Sequence, residues 1–359
     1  MPTQTHAMTP TRPVRSHALR HVRQARHARH TGTLLAALTA LTLAATFSVQ
    51  AQTFKDAALE ALYTAEKTTE LQRVSAARVA AHPDDAQAVL GVALAALETD
   101  DAPARLAAIK RAEACIDKQP KAAPCHYALG ATMGVQAMSE GMFKMARSVG
   151  TVKEALTQAQ ALEPDWYAAR SALIEFYLEA PGMMGGSASK AAELARGATK
   201  PGQVKVLEAR VALAGKKYEA ALQSLLTLPL GAEAAVQSDA RNWAVQAGMG
   251  MVNSGQAVKA QPLFERLTRE QADSAGPFYG LARARGELGA HEDALKLYEQ
   301  AQKLKGAAQW PLLYRIGMSQ QQLGRNEDAR ASLKKYVALG KGPASLKAHA
   351  KKRLEELGG

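Results

Sequence analysis

Two stretches, FYGLARARGELGAHEDALKLYEQA (residues 278–301) and LLYRIGMSQQQLGRNEDARASLKKY (312–336), carry one pattern twice at a spacing of 35 residues. Leu281, Ala282, Gly289, Ala294 and Tyr298 recur as Ile316, Gly317, Gly324, Ala329 and Leu333; Ala301 recurs as Tyr336. Apolar residues at helical intervals give each half of a copy one buried stripe, and Leu-Gly breaks the chain between halves. The small residues at 282/317 and 294/329 have a steric role, because paired helices approach closely only where side chains are short. A helix pair of this size cannot bury its apolar face alone, so the pattern predicts further stacked copies.

Those marks resemble the tetratricopeptide repeat, a helix–turn–helix unit of about 34 residues. The resemblance implies an all-α, right-handed superhelical solenoid over residues 52–359. The rest of the chain reads in that phase. A first helix pair spans 53–82, and His82-Pro83-Asp84-Asp85 stops one helix and caps the next. Units opening at Leu90-Gly91 and Leu129-Gly130 close on Pro120 and Pro164. A weaker unit at 204–228 takes its phase from Gly215, which puts Glu208 where a small residue belongs. A unit at 242–272 restores the pattern, and SLKAHAKKRLEELGG reads as a terminal cap. The expectation is about six repeats between a leading helix pair and a capping helix. Segments 126–130 (HYALG) and 180–187 (APGMMGGS) are also similar to a branch of exported proteobacterial repeat proteins, which implies fold and location but no activity.

Charge separates the N-terminus from the body. The net charge is +12, yet residues 1–51 hold six arginines and no acid. Beyond them 39 basic residues face 33 acids, spread as on a solvated helical surface, so a nucleic-acid partner is not expected. The arginines precede an apolar run, Leu34–Phe47, and Val49-Gln50-Ala51. This is the layout of an export signal with cleavage after Ala51. The run is short for a membrane span of roughly 20 residues, so no span is expected in the mature chain. The address implied is the periplasm, where Cys115 and Cys125 can form a disulfide across the Gln119-Pro120 break.

Enzyme chemistry has no signature here. His82, His126, His291 and His349 lack ligand spacing, and no GxSxG, Rossmann or phosphate-loop motif is present, so neither catalysis nor a cofactor is expected. A repeat array offers a concave face lined by the first helix of each unit. Its inward positions are expected at Tyr127, Asn242, Tyr279, Arg283, Tyr314 and Gln321. The tyrosines and Arg283 there either offer rings and a carboxylate partner to an extended protein segment or cover the seam between helices. The repeat family's clamp for a C-terminal carboxylate uses Lys and Asn at positions occupied here by Tyr127/Ala131, Val245/Met249, Tyr279/Arg283 and Tyr314/Met318, so that activity is not expected.

Two insertions depart from the pattern. The first carries Met138, Met142 and Met145, with Met133 just before it; these either pack in the core or form a soft surface for a small molecule, lipid or metal. The second, Ala180 to Ser189, brings Gly185-Gly186-Ser187 into a helix, as a structural turn or an anion seat. The leading expectation is a non-enzymatic scaffold binding a protein or peptide.

Overall fold

The computed structural model describes residues 53–99, 101–229, 231–340 and 342–358. The expected signal and its cleavage position lie outside them. Among the described residues the chain is helical, with no strand, and it divides into two compact units.

The first unit takes the described residues up to 211 together with 227–240. It contains α1 (Ala57–Thr64), α2 (Thr68–Ala81), α3 (Ala86–Leu97), α4 (Ala102–Lys118), α5 (Ala123–Glu140), α6 (Met142–Leu162), α7 (Tyr167–Glu179), α8 (Ala188–Arg196) and most of α9 (Pro201–Ala214). The second takes 212–226 and the described residues from 241 on. Its helices are α10 (Tyr218–Leu226), most of α11 (Ala234–Asn253), α12 (Ala257–Glu270), α13 (Ala275–Glu287), α14 (His291–Ala301), α15 (Leu312–Gln322), α16 (Asn326–Ala338) and α17 (Ala344–Glu356). From α1 to α8, and again from α12 to α17, each helix packs on the next in sequence. The fold is therefore the stack of helix–turn–helix units that the 35-residue spacing demands.

The small residues do what their spacing requires. A β-carbon at Gly317 would lie 2.8 Å from Leu333 Cγ, and one at Gly130 would lie 2.7 Å from Leu156 Cγ. Buried Phe264 is held between Gly248 and Gly280, where a β-carbon would come within 2.6 Å and 2.0 Å of its ring. Helix starts follow the sequence too: Asp56, Asp85 and Asp101 accept backbone N–H groups at the heads of α1, α3 and α4.

Five pairs turn in the same way. Glu66, Lys216, Gly255, Gly289 and Gly324 sit in the left-handed region. The next residue donates its N–H back across the helix end, as Ala290 does to Arg285 and Lys217 to Ala212. This shifts the weak unit by one residue. Its turn residue is Lys216 (φ 56°), not Gly215, so the small position falls on Ala209, and the second helix contributes Ala221 and Leu225, all buried. Glu208 no longer occupies the close-packing position. The sequence reading missed the register because glycine is the usual left-handed residue and lysine is not.

Cys115, near the end of α4, is bonded to Cys125 in the first turn of α5, with a Cα–Cα distance of 5.9 Å. At the other terminus α17 covers the last pair. Leu346, Ala350, Leu354 and Leu357 pack on Tyr314, Leu333 and Tyr336.

Candidate functional site

In the second unit the expected groove residues form a ring-lined seam. Tyr279, on α13, is buried and stacks on Trp310 with centroids 4.6 Å apart, while Tyr298 from α14 meets it at 5.7 Å. One turn on, Arg283 is also buried and donates to Asn253 Oδ1 and Glu287 Oε1, each at 3.1 Å. Tyr314 is buried under the cap, against Tyr336 at 5.5 Å, with its hydroxyl 2.9 Å from His349 Nδ1. These rings and the Arg283 guanidinium sit in the seam between helices. The half-buried Asn242 on α11 and Gln321 on α15 are the more accessible members of the expected set.

The first unit places Tyr127 likewise: buried on α5 and tilted against Trp166, with centroids at 4.9 Å. Around it lies a group that sequence reasoning did not single out. Tyr167, opening α7, donates from its hydroxyl to Asp239 Oδ2 at 2.6 Å, joining positions 72 residues apart inside the unit. Arg210 on α9 reaches Glu175 at 3.1 Å and donates to the Ser171 carbonyl at 3.3 Å. Burial pushes the Asp239 carboxyl up to about 7, with Glu175 adding to the rise and the Tyr167 hydrogen bond and Arg210 opposing it. Burial also raises Glu179, helped by Glu175 and opposed by Arg210. The phenols of Tyr63, Tyr127 and Tyr167 are raised, chiefly by burial.

A signal for part of this group was present. Val236, Ala240, Ala244 and Ala247 lie on the buried stripe of α11, and Asp239, three residues after Val236, is buried at its edge, a carboxylate where a wider stripe calls for an apolar side chain. Its partner could not be read, since only the fold brings α7 to α11.

The insertions resolve differently. The Met-bearing one extends α5 and α6 into a long hairpin that turns at Gly141. Met133 and Met145 are half-buried, and Met138 is exposed. In the second, a β-carbon at Gly186 would fall 1.7 Å from the Ala180 carbonyl oxygen, Ser187 N–H donates to Tyr177 O, and the Ser187 hydroxyl caps α8. This glycine pair shapes a tight turn whose helix N-terminus already has a side-chain cap. Among the described residues no three His, Cys, Asp or Glu side chains gather as for a metal ion, and no helix is long and apolar enough to cross a membrane.

No protein-family model matches the chain, and no curated protein sequence matches it. Solved structures resemble it in fold. Human IFIT1, solved as a dimer with PPP-AAAA, has 14% identity and a TM-score of 0.50, over 76% of this chain and 63% of that one. A tetratricopeptide repeat protein from Parabacteroides merdae has 14% identity and a TM-score of 0.47, over 82% of this chain and 100% of that one. PilF of Pseudomonas aeruginosa has 15% identity and a TM-score of 0.43, over 66% and 99%. At such identities the likeness is one of fold.

Proposed function

We propose that this array of tetratricopeptide-like helix pairs is a non-enzymatic periplasmic scaffold that binds a protein or peptide. The observation that carries the reading is the stack of paired helices itself. Units of this kind present the first helices of their pairs side by side, which suits a linear partner better than a small substrate. In the second unit the rings at Tyr279 and Tyr314 are buried, so partner contact falls to that unit's more accessible residues, Asn242 and Gln321 among them. The exported location is supported by the N-terminal charge and apolar pattern and by the Cys115–Cys125 bond, which suits an oxidising compartment.

A photo-crosslinking residue tests the groove. Placed at Gln321, and separately at Asn242, in protein expressed in its own host, it should yield the same discrete adduct. At Val258, exposed on α12, it should not. Adducts of equal yield at all three positions, or at none, would sink the assignment. N-terminal sequencing of the protein recovered from the periplasmic fraction should begin at Gln52; a chain retained in the cytoplasm would remove the location.

A further inference from the structure

The cation excess of the body is concentrated in one place. Residues 52–301 hold 27 basic and 29 acidic side chains, whereas residues 302–359 hold 12 and 4. Between Asp328 and Glu355 stand eight lysines and arginines and no acid. The fold then sorts these charges along α16 and α17. Arg330, near the start of α16, donates to the Leu357 carbonyl behind α17, and Lys347, in the first turn of α17, donates to the Gly340 carbonyl behind α16 at 3.2 Å. The two helices therefore run antiparallel, and Glu327, Asp328, Glu355 and Glu356 gather at one end of the pair. There Glu327 pairs with Arg330, and Glu356 with Lys352 and Arg353. From the middle of the pair to its other end stand Lys334, Lys335 and Lys351, all exposed, and the half-buried Lys347. Among the described residues none of these four has a carboxylate partner.

Helix chemistry accounts for only half of them. Lysines suit the closing turns of α16, whose carbonyls carry partial negative charge, but Lys347 and Lys351 stand in the first two turns of α17, where the dipole favours acids. α14 and α16 open with Glu292, Asp293 and with Glu327, Asp328, while α17 has no acid in its first turn. Stability alone would not place two lysines there, whereas an external anion offsets their repulsion. The side chains around them select the kind of anion. Ala344, Ser345 and Ala348 are small and exposed, so an extended backbone can lie close to α17. Leu339, 56% exposed, offers such a segment one apolar contact. Tyr336 is buried, and no projecting ring is present to seat the pair among lipid headgroups.

We propose that the lysine-bearing side of α16 and α17 docks an acidic, extended segment of a protein partner. This surface uses none of the expected groove residues, so either can fail without the other. The test uses the full chain with its disulfide intact and a short fluorescein-labelled peptide of alternating Glu and Ala, read by anisotropy at low salt. Lys334→Gln, Lys335→Gln, Lys347→Gln and Lys351→Gln together should weaken binding roughly tenfold. The melting temperature should not change, since what α16 loses at its closing end α17 gains at its opening one. Lys110→Gln, Lys118→Gln, Lys121→Gln and Lys296→Gln, at four exposed positions elsewhere, lower the net charge equally and should weaken binding by no more than about twofold. Residues 1–51 are common to both variants, so the comparison excludes their arginines. Equal weakening by the two sets, or none by either, overturns the proposal, and a fall in melting temperature without a fall in binding would make the four lysines structural. If vesicles containing phosphatidylglycerol retained the parent but not the first variant, and the peptide bound neither, the occupant would be a bilayer and not a protein segment.

Discussion

Two seams in one chain are filled with different chemistry. In the second unit Tyr279 stacks on Trp310 and meets Tyr298 at a tilt, and Tyr314 closes under α17 with Tyr336 and His349. In the first unit Tyr127 packs on Trp166, but beside it lie Asp239, Arg210, Glu175 and Tyr167, joined by a buried hydrogen bond and an ion pair. A ring-filled seam depends on shape. One holding more carboxylates than cations must keep a proton, and its stability follows the proton's activity. The difference teaches that helix pairs of one architecture need not share one source of stability.

The largest expected effect breaks that symmetry directly. Folding raises the Asp239 carboxyl from 3.8 to about 7, so the folded state holds a proton that the unfolded chain releases. The stability that Asp239 contributes is then fully present below about pH 4 and is lost as pH rises to about 7, on the order of 4 kcal/mol in all. Asp239→Asn keeps an acceptor for Tyr167 without the charge. The variant should match the parent near pH 4 and exceed it above neutrality, with urea midpoints across that range reading the difference. If the substitution left the pH slope unchanged, Asp239 would not be the group that titrates.

The second unit should respond to shape. Gly280→Ala places a β-carbon 2.0 Å from Phe264 Cε1, and the ring has no room to retreat because Gly248 closes its other side. A loss of about 3 kcal/mol is expected, the upper range for overpacking. Trimming the obstacle should relieve it: in a Phe264→Leu background the same substitution should cost much less, and a double-mutant cycle measures the coupling. An equal cost in both backgrounds would show that the ring is not the obstacle.

How much could be read beforehand follows the same division. Leu281, Ala282, Gly289 and Ala294 were legible because each does in sequence what it does in space: a stripe, a close approach, a left-handed turn. The Tyr167–Asp239 pair was not, because a lone aspartate in a helix has the same letter whether it faces water or a phenol 72 residues away. The Cys115–Cys125 bond was legible because it is local, ten residues across a turn. Its removal by Cys115→Ser with Cys125→Ser should cost the first unit about 2–3 kcal/mol through the entropy of the opened loop. Thermal unfolding with and without reductant should show the same loss in the parent chain and none in the double variant.

The smallest effect concerns the turn whose register the sequence concealed. Glu66, Lys216, Gly255, Gly289 and Gly324 hold the same left-handed place, but only the last three are glycines. For Lys216, at φ 56°, the β-carbon crowds its own backbone, a strain that glycine lacks. Against this, glycine loses more freedom on folding. The strain outweighs that entropy, so Lys216→Gly should stabilise by about 0.5 kcal/mol, whereas Gly289→Ala should destabilise by about 1 kcal/mol. Gly215→Ala, one residue earlier, should be neutral or slightly stabilising, since the left-handed place in this turn is taken by Lys216. Chemical denaturation of these three variants therefore reads the register itself. If Gly215→Ala were the costly change and Lys216→Gly had no effect, the turn would lie where the sequence alone placed it, and Glu208 rather than Ala209 would return to the close-packing position.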